Sequence, residues 1–220
     1  MQSKLRFVVA VLIAGAAFCS SARADEFDAR YQAIADARGK APEAQRLHEL
    51  FKVDWAYTMD VYPEYATYVG FPGGETRWSD LSPAGIALRK HLADRALPVL
   101  ATIDRAQLGP QDRVSYDIFK RLTEEAVEGE QFPTDLIQVN QMGGVQQDAS
   151  QTLDSMRSEN GAQMENQLAR LKALPVYIDQ VIALPGNSMR LNPPDVLKPD
   201  FLPRLMTELE WHVVWTGIEG

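Results

Sequence analysis

Leu47, Phe51, Trp55, Met59 and Tyr62 recur at steps of four, four, four and three, with Leu50 widening the row. Such spacing lays one apolar stripe along one face of an α-helix, whereas a strand would need alternation with period two. The pattern returns in Leu88, Leu92, Ala96, Val99 and Ile103, then in Val114, Ile118, Leu122 and Ala126. It appears again in Met164, Leu168, Leu171, Ile178 and Ile182, and no comparable period-two run occurs. The chain is therefore expected to be all-α, its amphipathic helices packed as an irregular bundle. Ser82 before Pro83 predicts an N-cap followed by proline at the first helical position, where its missing N–H costs nothing. Gly109-Pro110 predicts a helix boundary, and Pro98 and Pro175 predict kinks or breaks within helical patterns. Residues 25–39 read as a further, weaker helix, and segments near 63–81 and 131–160 read as irregular.

The first 24 residues have the layout of a secretory signal peptide. Lys4 and Arg6 precede the apolar run Phe7 to Phe18, and Ala22-Arg23-Ala24 supplies small residues for cleavage. A run that short does not span a bilayer stably. The expectation is an exported protein, periplasmic or secreted, with no membrane segment after cleavage. The sole cysteine, Cys19, lies in that leader, so disulfides are not expected to stabilise the mature chain. The formal net charge of −8 argues against nucleic acid as a partner.

Chemistry-bearing motifs are sparse. His48-Glu49 begins like the zinc motif H-E-x-x-H, but Lys52 stands where the second histidine belongs and cannot replace an imidazole at neutral pH. His91 and His212 have no ligand set at metal spacing, although Glu208 lies one turn before His212. Glu124 and Glu128, also one turn apart, read as a solvated helix face. No G-x-S-x-G elbow occurs. Hence neither catalytic nor metal-ligating residues are assigned. The aromatic concentration Trp55, Tyr57, Tyr62, Tyr65, Tyr68, Phe71 and Trp78 reads as core more than as a stacking surface.

The amide-rich stretch QVNQMGGVQQD, Gln138 to Asp148, fails as a phosphate loop, because Val145-Gln146-Gln147 follows the glycines where Lys-Ser/Thr is needed. Its amides offer paired donors and acceptors for an extended peptide, and Gly143-Gly144 would admit a close backbone. Asn140, Gln141, Gly143, Gly144, Gln146 and Gln147 are the candidate substrate-binding residues. The same amides could instead satisfy the backbone of segment 131–160.

Several ordered stretches resemble one family. RLHELFKVDWAYTMDVYPEYATYVG (Arg46 to Gly70), RWSDLSPAGIALRK (Arg77 to Lys90), IDRAQLGPQDRVSYDIFKRLTE (Ile103 to Glu124), NQMGGVQQ (Asn140 to Gln147) and LARLKALPVYIDQVIAL (Leu168 to Leu184) are similar to the N-terminal part of the bacterial domain-of-unknown-function family 885. The resemblance implies an exported helical protein of zinc-metallopeptidase type, with zinc expected in a full-length relative on an H-E-x-x-P-G-H-H segment. That segment is absent from this sequence, so no catalytic residue carries over. Residues 25–184 correspond to the resembling part, and 185–220 read as a divergent tail of a truncated or frame-shifted gene, or as the close of a short member with a final helix near 201–215. The expected role is scaffold and cleft wall for a peptide or other small substrate, without catalysis of its own. A stand-alone exported ligand-binding module is the alternative, and a fragment without function is a third reading. A partial domain would also leave apolar helix faces uncovered and prone to self-association.

Overall fold

The structure, a computed structural model, describes residues 25–132, 139 and 143–184, apart from the side chains of Leu92 and Ala93. The expectations for residues 1–24 and 185–220, and for Asn140 and Gln141, fall outside those residues. Helices dominate and no strand is found among the described residues. They are α1 (25–36), α2 (Glu43–Val61), α3 (Pro63–Tyr68), α4 (Pro83–Ala101), a 3-10 turn at Arg105–Gln107, α5 (Pro110–Gly129), α6 (Val145–Ser155) and α7 (Gly161–Ala183). The chain divides into two compact units, one within Met1–Tyr62 and Ser82–Phe132, the other within Pro63–Leu81 and Pro133–Gly220.

The first unit packs α1, α2, α4 and α5. Phe27, Tyr31 and Ile34 of α1 meet Leu47, Leu50, Val53 and Tyr57 of α2, and Ala96, Val99 and Leu100 of α4 close the core. Each fully buried large aliphatic contributes about 1.5–3 kcal/mol. Phe27 sets its edge against Tyr57 at 5.5 Å, and Phe51 meets Phe119 of α5 at 5.0 Å. Ser82 caps α4 by accepting from Gly85 N–H at 3.2 Å, and Pro110 opens α5, as expected. A buried arginine ties the unit together. Arg46 donates to Ile34 O (3.1 Å), Thr102 O (3.0 Å), the Thr102 hydroxyl and the Glu43 carboxylate (2.8 Å). One side chain thus joins the end of α1, the start of α2 and the end of α4.

In the second unit, segment 63–81 runs against α7, with α6 contacting α3 and α7. Its centre is Arg170, which is wholly buried. The guanidinium donates to Arg77 O (2.9 Å), the Thr67 hydroxyl (2.7 Å), Pro63 O (3.1 Å) and Gly74 O (2.7 Å), and lies 5.4 Å from the Trp78 ring centroid. Trp78 in turn donates its indole N–H to Arg170 O (2.8 Å) and stacks on Tyr177 at 5.2 Å. Nearly three turns further along α7 from Arg170, Gln180 accepts from Leu81 N–H and donates to Asp80. At Gly74 the backbone runs close to α3: an added Cβ would stand 3.0 Å from Pro63 Cβ and 3.2 Å from its Cα, so a side chain there fits only if Pro63 gives way.

Several sequence expectations are corrected. Both segments expected to be irregular contain a helix, α3 and α6. The buried row of α6 is Val145, Ala149 and Thr152, two of whose three members are small or polar, so its periodicity is faint in sequence. Of the kinks or breaks expected at Pro98 and Pro175, the breaks do not occur, for both prolines lie inside continuous helices. The expected α5 stripe faces outward: Val114, Ile118 and Leu122 are each about half exposed, while Tyr116 and Phe119 pack on the core. In α7 the buried face is Arg170, Leu174, Ile178 and Val181, leaving Met164, Leu168 and Ile182 exposed. Trp55 and Tyr62 are likewise partly exposed, whereas Tyr57 and Trp78 are buried.

Two predictions follow from these contacts. Arg170→Met should cost about 3–5 kcal/mol in urea unfolding, because three backbone carbonyls and the Thr67 hydroxyl lose a buried partner. Amide exchange should then accelerate most within 63–81. The second concerns Asp54, whose carboxyl is held above its ordinary value by burial, with the Tyr31 hydroxyl bond (3.3 Å) opposing the shift. Protonated Asp54 imposes no penalty below its unfolded value, but as pH rises through the raised folded value the native state must carry a desolvated charge. Asp54→Asn should therefore stabilise the protein at pH 7 more than at pH 4, measured by denaturant titration at both.

Candidate functional site

Two features of the second unit face solvent with organised polar groups. The first is the start of α6, where the sequence places its candidate binding residues. Gly144 occupies the N-cap with φ of 143°, a backbone region open essentially to glycine alone. Its carbonyl accepts from the N–H groups of Gln147 and Asp148, both at 2.9 Å, which turns the chain into the helix. A Cβ on Gly143 would meet nothing within 4 Å, so that residue leaves room on its outer side. Gln146 is half-buried and Gln147 exposed, on the first turn of α6.

A charged residue missed by the binding assignment completes this end. The Asp148 carboxyl is pushed up by burial and by the nearby Glu64 carboxylate, against a hydrogen bond from the Gly144 backbone. Glu64, on the first turn of α3, accepts from both the N–H (2.7 Å) and the hydroxyl (2.6 Å) of Ser79. Asp148 was visible in sequence as the only charge of its stretch, but its neighbour Glu64 is 84 positions away.

The second feature is a cavity of about 250 Å³ at the opposite end of α6. Thr67, Gly70, Phe71, Pro72 and Glu75 form one side, Ser155, Met156 and Arg157 follow the end of α6, and Gln163 and Asn166 project from α7. Phe71, Pro72 and Met156 supply apolar surface. Around them stand a carboxylate, a guanidinium and two side-chain amides, a set that can hold the charged and amide groups of a peptide. The walls are pinned from behind. Thr67 donates to Pro63 O (2.9 Å) and accepts from Arg170, and Glu75 accepts from Gly73 N–H (2.9 Å). On α7, Asn160 caps Gln163 N–H (3.0 Å) while the Gln163 amide oxygen accepts from Glu159 N–H (2.7 Å).

Gly143, Gly144, Gln146 and Gln147 do not line this cavity. The length of α6 separates them from it, roughly 16 Å at 1.5 Å per residue. The residues that do line it come from three stretches without a shared motif, so no local signal in the sequence could have assembled them. Among the described residues no three His, Cys, Asp or Glu side chains are grouped as a metal site, and no helix is long and apolar enough to cross a membrane. His48 pairs with Asp112 at 2.8 Å and His91 with Asp28 at 3.0 Å, both on the first unit's surface.

No curated protein and no solved structure matches the chain. A family of bacterial proteins does match, over residues 63–203, a range that takes in every residue lining the cavity, the Arg170 cluster and the start of α6. By that match, which spans more than half of its length, the chain belongs to the bacterial proteins of unknown function designated DUF885.

Proposed function

We propose that this chain is the substrate-holding helical part of an exported, zinc-metallopeptidase-like architecture, and that it binds peptide without hydrolysing it. The observation that carries the reading is the cavity at the end of α6, whose lining combines Glu75, Arg157, Gln163 and Asn166 around an apolar floor. A peptide presents an N–H and a C=O at each residue and a charge at each end. Two amides and a pair of opposite charges answer those groups, and a floor of Phe71, Pro72 and Met156 accepts a side chain. Gly143, Gly144, Gln146 and Gln147 would extend the binding wall to the other end of α6. Zinc would belong to relatives that carry the H-E-x-x-P-G-H-H segment, where it would activate water. The leader at 1–24 supports export to the periplasm or medium.

The same cavity also fits the second reading, a stand-alone binding module for a small polar ligand. Fluorescence anisotropy with a labelled mixed-sequence peptide pool tests binding, and a hydrolysis assay with added zinc tests catalysis. Saturable binding is expected, weakened about tenfold in Asn166→Leu and Arg157→Ala, which is about 1.4 kcal/mol. No cleavage is expected with or without zinc. Cleavage by the wild-type chain, or peptide binding indifferent to both substitutions, would overturn the proposal.

A further inference from the structure

The cavity at the end of α6 carries two opposite charges that do not satisfy each other. Glu75 and Arg157 both line it, yet they form no ion pair, and among the described residues Arg157 has no hydrogen-bond or ion-pair partner. Elsewhere such exposed charges do pair, as Arg105 does with Asp117 at 2.6 Å. Glu75 is held through Oε2, which accepts from Gly73 N–H at 2.9 Å, and its Oε1 stays available. The buried Arg170 guanidinium feels the Glu75 charge but donates to the Thr67 hydroxyl and three backbone carbonyls instead. A ligand that answers both charges must bring a cation and an anion of its own.

The amides of the lining set how much backbone lies between those ends. Gln163 and Asn166 stand three apart on α7 and are neighbours on one helix face. Gln163 already accepts from Glu159 N–H through Oε1 at 2.7 Å, which leaves its NH2 to donate. Asn166 makes no hydrogen bond among the described residues, and its Oδ1 is there to accept. One donor and one acceptor match one carbonyl and one N–H, the complement of a single peptide bond. Size sets the same limit: the volume of about 250 Å³ is that of a compact space roughly 6–8 Å across, which an extended chain at about 3.3–3.6 Å per residue crosses in two residues. A mid-chain segment of a longer peptide brings no backbone charge to either Glu75 or Arg157.

We propose that the ligand of this cavity is a free dipeptide with an apolar side chain, its ammonium on Glu75 and its carboxylate on Arg157, an assignment that rests on the site's peptide-holding role. Its one peptide bond lies against Gln163 and Asn166, and its side chain on Phe71 and Met156. The test is isothermal titration calorimetry of the full chain with alanyl-leucine, leucyl-alanine and leucyl-leucine, each beside its N-acetyl and its C-terminal amide form. At least one free dipeptide should bind, and acetylation or amidation should each weaken it about tenfold or more. Glu75→Gln removes the charge but keeps an oxygen for Gly73 N–H. It should weaken the free dipeptide about tenfold and leave the N-acetyl form unchanged, a pattern that loss of fold does not produce. Arg157→Gln should likewise weaken the free form and spare the amidated one. Blocked dipeptides that bind as well as free ones, or equal loss of both in Glu75→Gln, would overturn the proposal. Binding of the mixed peptide pool without binding of any free dipeptide would overturn it too, while leaving the peptide-holding role in place. Silence from dipeptides and pool alike would remove both.

Discussion

A guanidinium removed from water must find acceptors for its N–H groups, and the second unit is organised around how Arg170 does so. Segment 63–81 contains only six helical residues, so most of its carbonyls have no partner within a helix. Arg170 takes those of Pro63, Gly74 and Arg77, and so a side chain supplies what secondary structure does not. Burial pulls the group below its ordinary value, opposed by the Glu64 and Glu75 carboxylates. The fork is planar and fixed, so the three carbonyls are held in one arrangement relative to α7. The cavity depends on that arrangement through Thr67, which lines it and accepts from the same guanidinium. Arg46 plays the equivalent part in the first unit, where it joins three helix ends that apolar contact alone would leave free to slide.

These two arginines also mark where sequence reading succeeds and where it stops. Helical class was legible because apolar steps of three and four recur over long stretches, and the boundaries at Ser82-Pro83 and Gly109-Pro110 were legible because capping is local chemistry. The phase of α7 was not. Counting Arg170 as polar turned the apparent stripe towards Met164 and Leu168, whereas the buried face is the row Arg170, Leu174, Ile178 and Val181. A charged residue in register with an apolar row is ambiguous until its acceptors are known, and those acceptors lie more than ninety positions away. On α5 the aliphatic row Val114, Ile118 and Leu122 and the aromatics Tyr116 and Phe119 lie on different faces, and it is the aromatic pair that packs on the core.

The candidate site divides in the same way. The Gly143-Gly144 pair announced a special backbone, and Gly144 does adopt a glycine-only conformation, but one that starts a helix. The cavity is assembled from loop, helix end and helix face, with Glu75 and Arg157 each unremarked in its own stretch. It sets opposite charges and amides around apolar surface, in walls that are hydrogen-bonded from behind. The family match over 63–203 takes in all of these residues, whereas of the cavity lining only Thr67 and Gly70 fall within the five stretches that carry the resemblance.

The bonds made by Arg170 and Trp78 span 92 to 107 positions of sequence. A ribosome therefore releases segment 63–81 long before it makes the helix that organises it. Everything the first unit needs, up to Phe132, is synthesised in the interval. Its core can close while 63–81 is still a hydrated excursion between α2 and α4, for loop closure costs grow only slowly with length. The second unit must wait for α7, and the carbonyls of Pro63, Gly74 and Arg77 keep water as their partner until then. In the order of synthesis α7, the last helix among the described residues, follows the whole of the first unit, so segment 63–81 meets its buried arginine only after that unit's chain has been made.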